Sequence, residues 1–205
     1  YKAMFGFAQD NAQRFPWQLT PSGVRVHLHA AATNAGGFGT QINPDVNELN
    51  HHTLAGTVGG VFGIQAVKRE LQTPVILHSP CDPHRFAANQ VLREQWARFD
   101  TKSGKPVHHD GISYGLCFGA DNFRPSSVLA TTRNLSADTL ANSRWLGKDV
   151  PLRGLAGLAD GEGQLVIIDG SANLASDEDI GRDGKIIKAA KRGSGGVAIG
   201  QTSTK

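Results

Sequence analysis

Cysteine is scarce in this 205-residue sequence, as are the motifs that mark common enzyme classes. Cys81 and Cys117 are the only cysteines, and no Cys-x-x-Cys motif is present, so the chain has no cysteine-based zinc or redox motif. An exported protein with two cysteines often forms one disulfide, whereas a buried free cysteine behaves as a small hydrophobic residue. The spacing leaves both states of Cys81 and Cys117 open.

Long apolar runs and clustered charge are also missing. No run is long enough to span a membrane. The net charge of +3 comes from Lys and Arg spread along the chain without a basic stripe, so we expect no nucleic-acid partner. Apolar residues make up 39% of the chain and 25 residues are glycine, a composition that indicates a globular protein with long loops. A chain of this length can bury a core without cross-links.

The eight histidines do not fall into a recognised metal or catalytic motif. There is no His-Glu-x-x-His and no Gly-x-Ser-x-Gly, and the glycine-rich stretches lack the lysine of a phosphate-binding loop. His108, His109 and Asp110 are the best remaining set for a metal-dependent enzyme, since imidazole and carboxylate suit zinc or iron. Adjacent histidines on a strand would point to opposite faces. We therefore predict that the protein is not an enzyme and needs no cofactor.

An acidic turn at residues 176–184 is the candidate calcium site. Asp177, Asp179 and Asp183 supply the hard oxygen ligands that calcium prefers, but the twelfth position of an EF-hand loop counted from Asp177 is Lys188. A solvated turn is the alternative. With the loop predicted at residues 31–44, this turn supports a second hypothesis, a secreted glycan- or calcium-binding module.

A glycosylation sequon is formed by Asn134, Leu135 and Ser136. Such tripeptides often occur by chance, so Asn134 is a possible glycosylation site only.

The first fifteen residues predict an amphipathic helix. Its apolar stripe follows three- and four-residue steps and consists of Tyr1, Met4, Phe5, Ala8, Ala12 and Phe15. Pro16 should end the helix, because proline disfavours helical geometry in the residue before it. No N-cap residue precedes the stripe, so we expect the C-terminal part of a longer helix that was cut or cleaved. We therefore divide the chain into a helix segment, 1–17, and a head domain, 18–205.

Local patterns predict the elements that follow. The first half of the head contains an alternating strand, a loop, one or two helices, a short strand, and a further helix opened by a turn at 81–83; these are 23–30, 31–44, 45–71, 74–77 and 86–99. The second half contains strands at 112–118, 127–132 and 163–169 and an edge strand within 193–202, with Trp145 anchoring a long excursion. This order predicts an α+β fold with helices on one face of an antiparallel sheet.

Four segments carry a resemblance to a known family. They are AQDNAQRFPWQ (8–18), RELQTPVILHSPCDP (69–83), SYGLCFGADNFRPSSVLATTRNL (113–135) and GEGQLVIIDGS (161–171). In this order they resemble the prepilin-type, pseudopilin-like proteins of the type II secretion kind that are abundant in planctomycetes and verrucomicrobia. Ala159 stands where many relatives have a histidine, ten residues before the Asp-Gly pair.

The resemblance implies a fold and a function. The fold would be pilin-like, with the N-terminal helix packed on an antiparallel sheet. The function would be that of a structural subunit of an extracellular pilus-like filament or a secretion pseudopilus, with the six-residue stripe facing the filament core. Its partners would be copies of itself or other pilin-like subunits, at the cell surface, outside the cell or in the periplasm. Contact with a membrane would be made only by a hydrophobic half-helix ahead of Tyr1.

Overall fold

The computed structural model describes residues 1–20, 23, 27, 58–85, 111–188 and 202–203. Contacts divide the chain into two compact units. The sheet unit contains Tyr1, Ser79–His84 and Ser113–Thr204, and the helical unit contains Lys2–His78, Arg85–Ile112 and Lys205. Helices and an antiparallel sheet together make the fold α+β, as predicted. The pilin-like arrangement and the boundary after residue 17 stay predictions.

The sheet unit is built on five antiparallel strands. They are β1 (Tyr114–Cys117), β2 (Val128–Thr132), β3 (Glu162–Ile167), β4 (Ala172–Ser176) and β5 (Thr202–Ser203), in the spatial order β4-β3-β2-β1-β5. The strands predicted at 112–118, 127–132 and 163–169 are confirmed as β1, β2 and β3. Of the strand predicted within 193–202, only Thr202 is described, and it lies in β5.

Strand β4 was absent from the sequence prediction. The turn before it has the geometry of a three-residue hairpin loop, with Gly170 at φ +90° and the Asp169 carboxylate accepting a hydrogen bond from the Ser171 N–H at 2.8 Å. The Ile167 N–H closes the loop by donating to the Ser171 carbonyl. The segment 172–176, ANLAS, contains only small and weak strand formers besides one leucine, so pairing with β3 rather than propensity makes it a strand.

One face of this sheet is covered by the loops that follow β2 and β4. Nine buried residues form the core on this face: Cys117, Val128, Leu135, Leu140, Trp145, Leu165, Ala175, Ile180 and Ile187. Trp145, the predicted anchor, packs against Gly163 of β3, where a Cβ would come within 2.1 Å of its ring. The indole N–H donates to the Ser176 carbonyl at 3.2 Å, so Trp145 also connects the long loop between β2 and β3 to β4.

A buried ion pair fixes the segment before β1. The Arg133 guanidinium donates to both carboxylate oxygens of Asp82, at 2.5 and 2.6 Å, and a third donor reaches the Leu152 carbonyl at 2.6 Å. Asp82 is fully buried and Arg133 is 6% exposed. A bidentate pair with a further guanidinium N–H bonded to a backbone carbonyl is an arrangement in which a buried charge is tolerated.

The helical unit begins with a helix shorter than predicted. Helix α1 spans Lys2–Asp10 and buries Ala3, Met4, Phe7 and Ala8. It ends before Pro16, because the Asn11 side chain donates to the Phe7 carbonyl at 2.8 Å and Ala12 turns to φ +54°. The prediction of a helix to Phe15 is therefore wrong; residues Pro16–Gln18 form a 3₁₀ turn instead.

The later elements of this unit confirm one prediction and correct another. Helices α2 (Val58–Gly63) and α3 (Gln65–Leu71) confirm helical structure at the end of the 45–71 segment, broken at Ile64, whose backbone is extended. The strand predicted at 74–77 is a 3₁₀ helix, Pro74–Leu77, with proline in its first turn and the Thr73 hydroxyl as its cap.

Gly23 and His27 contradict the strand predicted at 23–30, because both are helical. The His27 ring centroid lies 4.8 Å from that of Phe7 in α1, and its Nε2 is 2.7 Å from the side-chain oxygen of Asn11, just after α1. Burial lowers the pKa of His27. Among the described residues, none of the helices combines the length and apolarity that a membrane crossing requires.

Candidate assembly surface

The second face of the sheet is partly uncovered, and we call it the open face. Because side chains alternate along a strand, the neighbours of the buried core residues point to this side. Leu165 is buried on β3, whereas Val166 beside it is half-buried; on β4, Ala175 is buried and Leu174 is 61% exposed. Register places Val166 opposite Ala172 and opposite Ala130 of β2.

A shallow groove of about 200 Å³ runs across this open face. Residues from four strands line it: Tyr114, Ala130, Thr131, Thr132, Gln164, Leu165, Val166, Ala172, Asn173 and Leu174. None of them carries a formal charge at neutral pH. Small and branched apolar side chains with a few uncharged polar groups are suited to burying another protein surface, and they include no nucleophile paired with a base.

Tyr114 borders the groove at the β1 side. Burial raises the pKa of Tyr114, opposed by a hydrogen bond with the Ser79 side chain and reinforced by the nearby Cys81 and Asp82. The phenol is therefore neutral throughout the physiological range. The Tyr114 ring adds apolar surface to the groove. Its hydroxyl bonds to Ser79, which belongs to the segment that contains Asp82 of the buried ion pair.

The β4 edge of the sheet lies next to the groove. Two backbone hydrogen bonds show which residues of β4 bond to β3: the Asp177 N–H donates to the Gly161 carbonyl, and the Ile167 N–H donates to the Ser171 carbonyl. Because hydrogen-bonded and non-hydrogen-bonded pairs alternate in an antiparallel ladder, the odd-numbered residues of β4 are the ones that bond to β3. The N–H and C=O groups of Ala172 and Leu174 therefore point away from the sheet. Within the described ranges, no strand lies beyond β4 and neither residue has a hydrogen-bond partner on that side.

The predicted assembly helix supplies little accessible surface. Its stripe was predicted to be Tyr1, Met4, Phe5, Ala8, Ala12 and Phe15. Met4, Ala8 and Phe15 are buried within the chain, Phe5 is half-buried, and Tyr1 is 43% exposed. Ala12 and Phe15 lie outside α1, and Ala12 is exposed. The helix buries its apolar side against α3, so most of the stripe already contributes to the core of the helical unit.

The structure shows the surroundings of the residues in two predictions, the disulfide and the glycosylation site. Cys81 is exposed and Cys117 is completely buried, and the two are not bonded, so the possible disulfide is not formed. Asn134 is also completely buried, and its amide donates to the carbonyls of Leu146 and Glu162 at 3.1 and 2.9 Å. A glycan on Asn134 would require both bonds to break, so the folded chain does not expose this sequon.

The acidic turn uses two of its three predicted calcium ligands for capping. Asp177 accepts a hydrogen bond from the Trp145 N–H at 2.6 Å, and Asp179 accepts from the Ser176 N–H at 2.8 Å. Asp183 faces Lys188 at 3.6 Å. In the part of the chain that the structure describes, no three acidic, histidine or cysteine side chains gather as metal ligands. His108, His109, Asp110 and the 31–44 loop lie outside the described residues.

The open face and the β4 edge were not identified from the sequence. Alternation within GQLVIID already separates Leu165 from Val166, which was a usable signal for one buried and one accessible face. The edge was missed together with β4. Comparison of the chain with protein-family models, with curated proteins and with solved structures found no match.

Proposed function

We propose that this chain is a structural subunit of an extracellular pilus-like filament or of a type II secretion pseudopilus, and that it functions by self-assembly rather than catalysis. The observation that carries the proposal is the open face. An apolar sheet surface formed by Val166, Ala172 and Leu174 is costly to leave in water and is stabilised when another subunit covers it.

The chemistry of the open face favours a subunit of the same kind as its partner. Its lining has no formal charge, so it offers nothing to select a strongly acidic or basic partner. The order of the four family-like segments supports the same proposal, since pilin-type proteins assemble from like subunits. Partners are then copies of this chain or other pilin-like subunits.

Electron microscopy of material isolated from its source tests the proposal. We expect filaments, and sedimentation that shifts to larger species as concentration rises. The matched variants are Val166→Asp, which places a charge on the apolar surface of the open face, and Ser126→Asp, which adds the same charge at an exposed position that does not line the groove. Val166→Asp should prevent assembly, while Ser126→Asp should assemble like the natural protein.

Two results would contradict this proposal. One is a natural protein that stays monomeric at high concentration and forms no filaments. The other is a folded Val166→Asp variant that assembles as the natural protein does, because the open face would then not be an assembly surface. Denaturant unfolding of both variants shows that each is folded before assembly is compared.

A further inference from the structure

We propose that the β4 edge pairs with the β4 edge of a second copy of this chain, antiparallel and about a two-fold axis at Asn173. The inference deepens the proposed self-assembly but rests on a different observation, the unpaired backbone of β4. It would join two sheets into one continuous sheet across the interface.

The length of the available edge sets the register. Ala172 and Leu174 present N–H and C=O groups outwards, and Ser176 would be the next residue with this orientation. Ser176 is already occupied, because its N–H donates to the Asp179 carboxylate and its carbonyl accepts from the Trp145 indole. The open edge is thus limited to the segment from Ala172 to Leu174.

A two-fold axis at Asn173 uses this edge completely. It places Ala172 opposite the second copy's Leu174, and the reverse, so every outward N–H and C=O of the two residues finds a partner. An axis at Ala172 or at Leu174 would pair only that residue with its own copy and leave the other without an available partner.

The side chains are complementary in the same register. Across the new pair, a large Leu174 meets a small Ala172 on the open face, the size match that cross-strand neighbours favour. Both side chains are exposed in the single chain, Leu174 to 61%. The strand also lacks the devices that usually protect a sheet edge, since ANLAS contains no lysine, no proline and no charge.

Cross-linking tests the register. With the axis at Asn173, the two copies of this residue form a non-hydrogen-bonded pair with Cα atoms about 4.5 Å apart, within the range of a disulfide. In a Cys81→Ser background, Asn173→Cys should form a covalent dimer under mild oxidation. Gln164→Cys is the control: Gln164 is also exposed but lies one strand further from the axis.

A proline variant tests the backbone bonds. Leu174→Pro removes an outward N–H that β3 does not use, so the single chain should tolerate it, as edge strands do. Leu174→Ala removes the same side chain and keeps the N–H. Sedimentation over a range of concentrations should show dimerisation at least roughly tenfold weaker for Leu174→Pro than for Leu174→Ala, because edge hydrogen bonds are lost.

Each outcome decides the inference. Cross-linking of Asn173→Cys but not Gln164→Cys, abolished by Leu174→Pro, supports it. Absent cross-linking, equal cross-linking at both positions, or proline and alanine variants that dimerise equally would overturn it. If Leu174→Pro does not fold, Leu174→Lys replaces it in the cross-linking assay. Cross-linked dimers without filaments would contradict only the proposed function, and filaments without this cross-link would contradict only the edge pairing.

Discussion

The two faces of one sheet differ although the same strands form both. On the covered face, Leu165 and Ala175 belong to the same core as Trp145 and are almost fully buried. On the open face, Val166 and Leu174 are their immediate neighbours in sequence and remain partly or largely exposed. One face therefore contributes to the buried core of the single chain, while the other leaves apolar surface exposed. Mutations on the two faces should therefore affect different measurements.

The largest effect should come from the ion pair beside Tyr114, which borders the open face. Asp82→Asn leaves the Arg133 charge buried without its partner, and the free energy of unfolding should fall by about 3–5 kcal/mol. Replacing both residues with leucine should cost much less than Asp82→Leu or Arg133→Leu alone, since no unpaired charge remains. Urea unfolding measures the double variant and the single ones. A double variant as unstable as the sum of the single ones would contradict this account of the pair.

The comparison of faces is tested most simply by two leucines on neighbouring strands. Leu165→Ala should reduce the free energy of unfolding by about 2–5 kcal/mol, because it leaves a cavity in the buried core of the covered face. Leu174→Ala should change it by no more than about 0.5 kcal/mol in the single chain. Urea unfolding at low protein concentration gives both values. Equal losses would mean that the open face is covered within one chain.

A smaller effect is expected where Trp145 covers β3. Gly163→Ala places a Cβ within 2.1 Å of the Trp145 ring and should cost about 1–3 kcal/mol, since the ring and β3 must move apart. Gln164→Ala, one residue away on the open face, is the control and should cost far less. A shift in tryptophan fluorescence should accompany the loss in Gly163→Ala only. Stability equal to that of the control would show that Trp145 does not pack here.

The smallest effect should appear at alkaline pH. Burial raises the pKa of the Cys117 thiol, so as pH rises the unfolded chain loses this proton first. Stability is then full below the ordinary thiol pKa and falls above it, by up to about 1.4 kcal/mol per pH unit. The decline in unfolding free energy from pH 8 to pH 10 should be shallower in Cys117→Ala. The same slope in both proteins would contradict burial of the thiol on the covered face.

Ionisation of Tyr114 should also lower the unfolding free energy, but only at a higher pH than that of Cys117. Its pKa is also raised by burial, so its contribution to stability is retained below the ordinary tyrosine pKa of about 10 and is lost above it.

Sequence patterns predicted the central strands because alternation and strand propensity agree there. In 163–169, both the spacing of Leu165 and the Asp169-Gly170 turn indicate a strand, and β3 lies where expected. The same reasoning missed β4, since ANLAS has weak propensity and becomes a strand through its pairing with β3.

Tertiary contacts explain the other failures. The helix at the N-terminus ends early because the Asn11 side chain competes for the Phe7 carbonyl, a bond that apolar periodicity does not report. The sequon at Asn134 could not be distinguished from a chance match in the sequence, and in the structure its buried amide donates to the carbonyls of Leu146 and Glu162. The candidate surface depends on which strand lies at the edge, and that order arises only when the sheet forms.

Amide hydrogen exchange of β4, measured at low and high protein concentration, shows whether the β4 edge binds a second copy. At low concentration, we expect the Leu174 amide to exchange rapidly and the Ala175 amide, which faces β3, to be protected. At high concentration, the Leu174 amide should become protected while that of Ala175 changes little. A Leu174 amide that exchanges at the same rate at both concentrations would contradict the claim that this edge and the open face beside it bind a second copy.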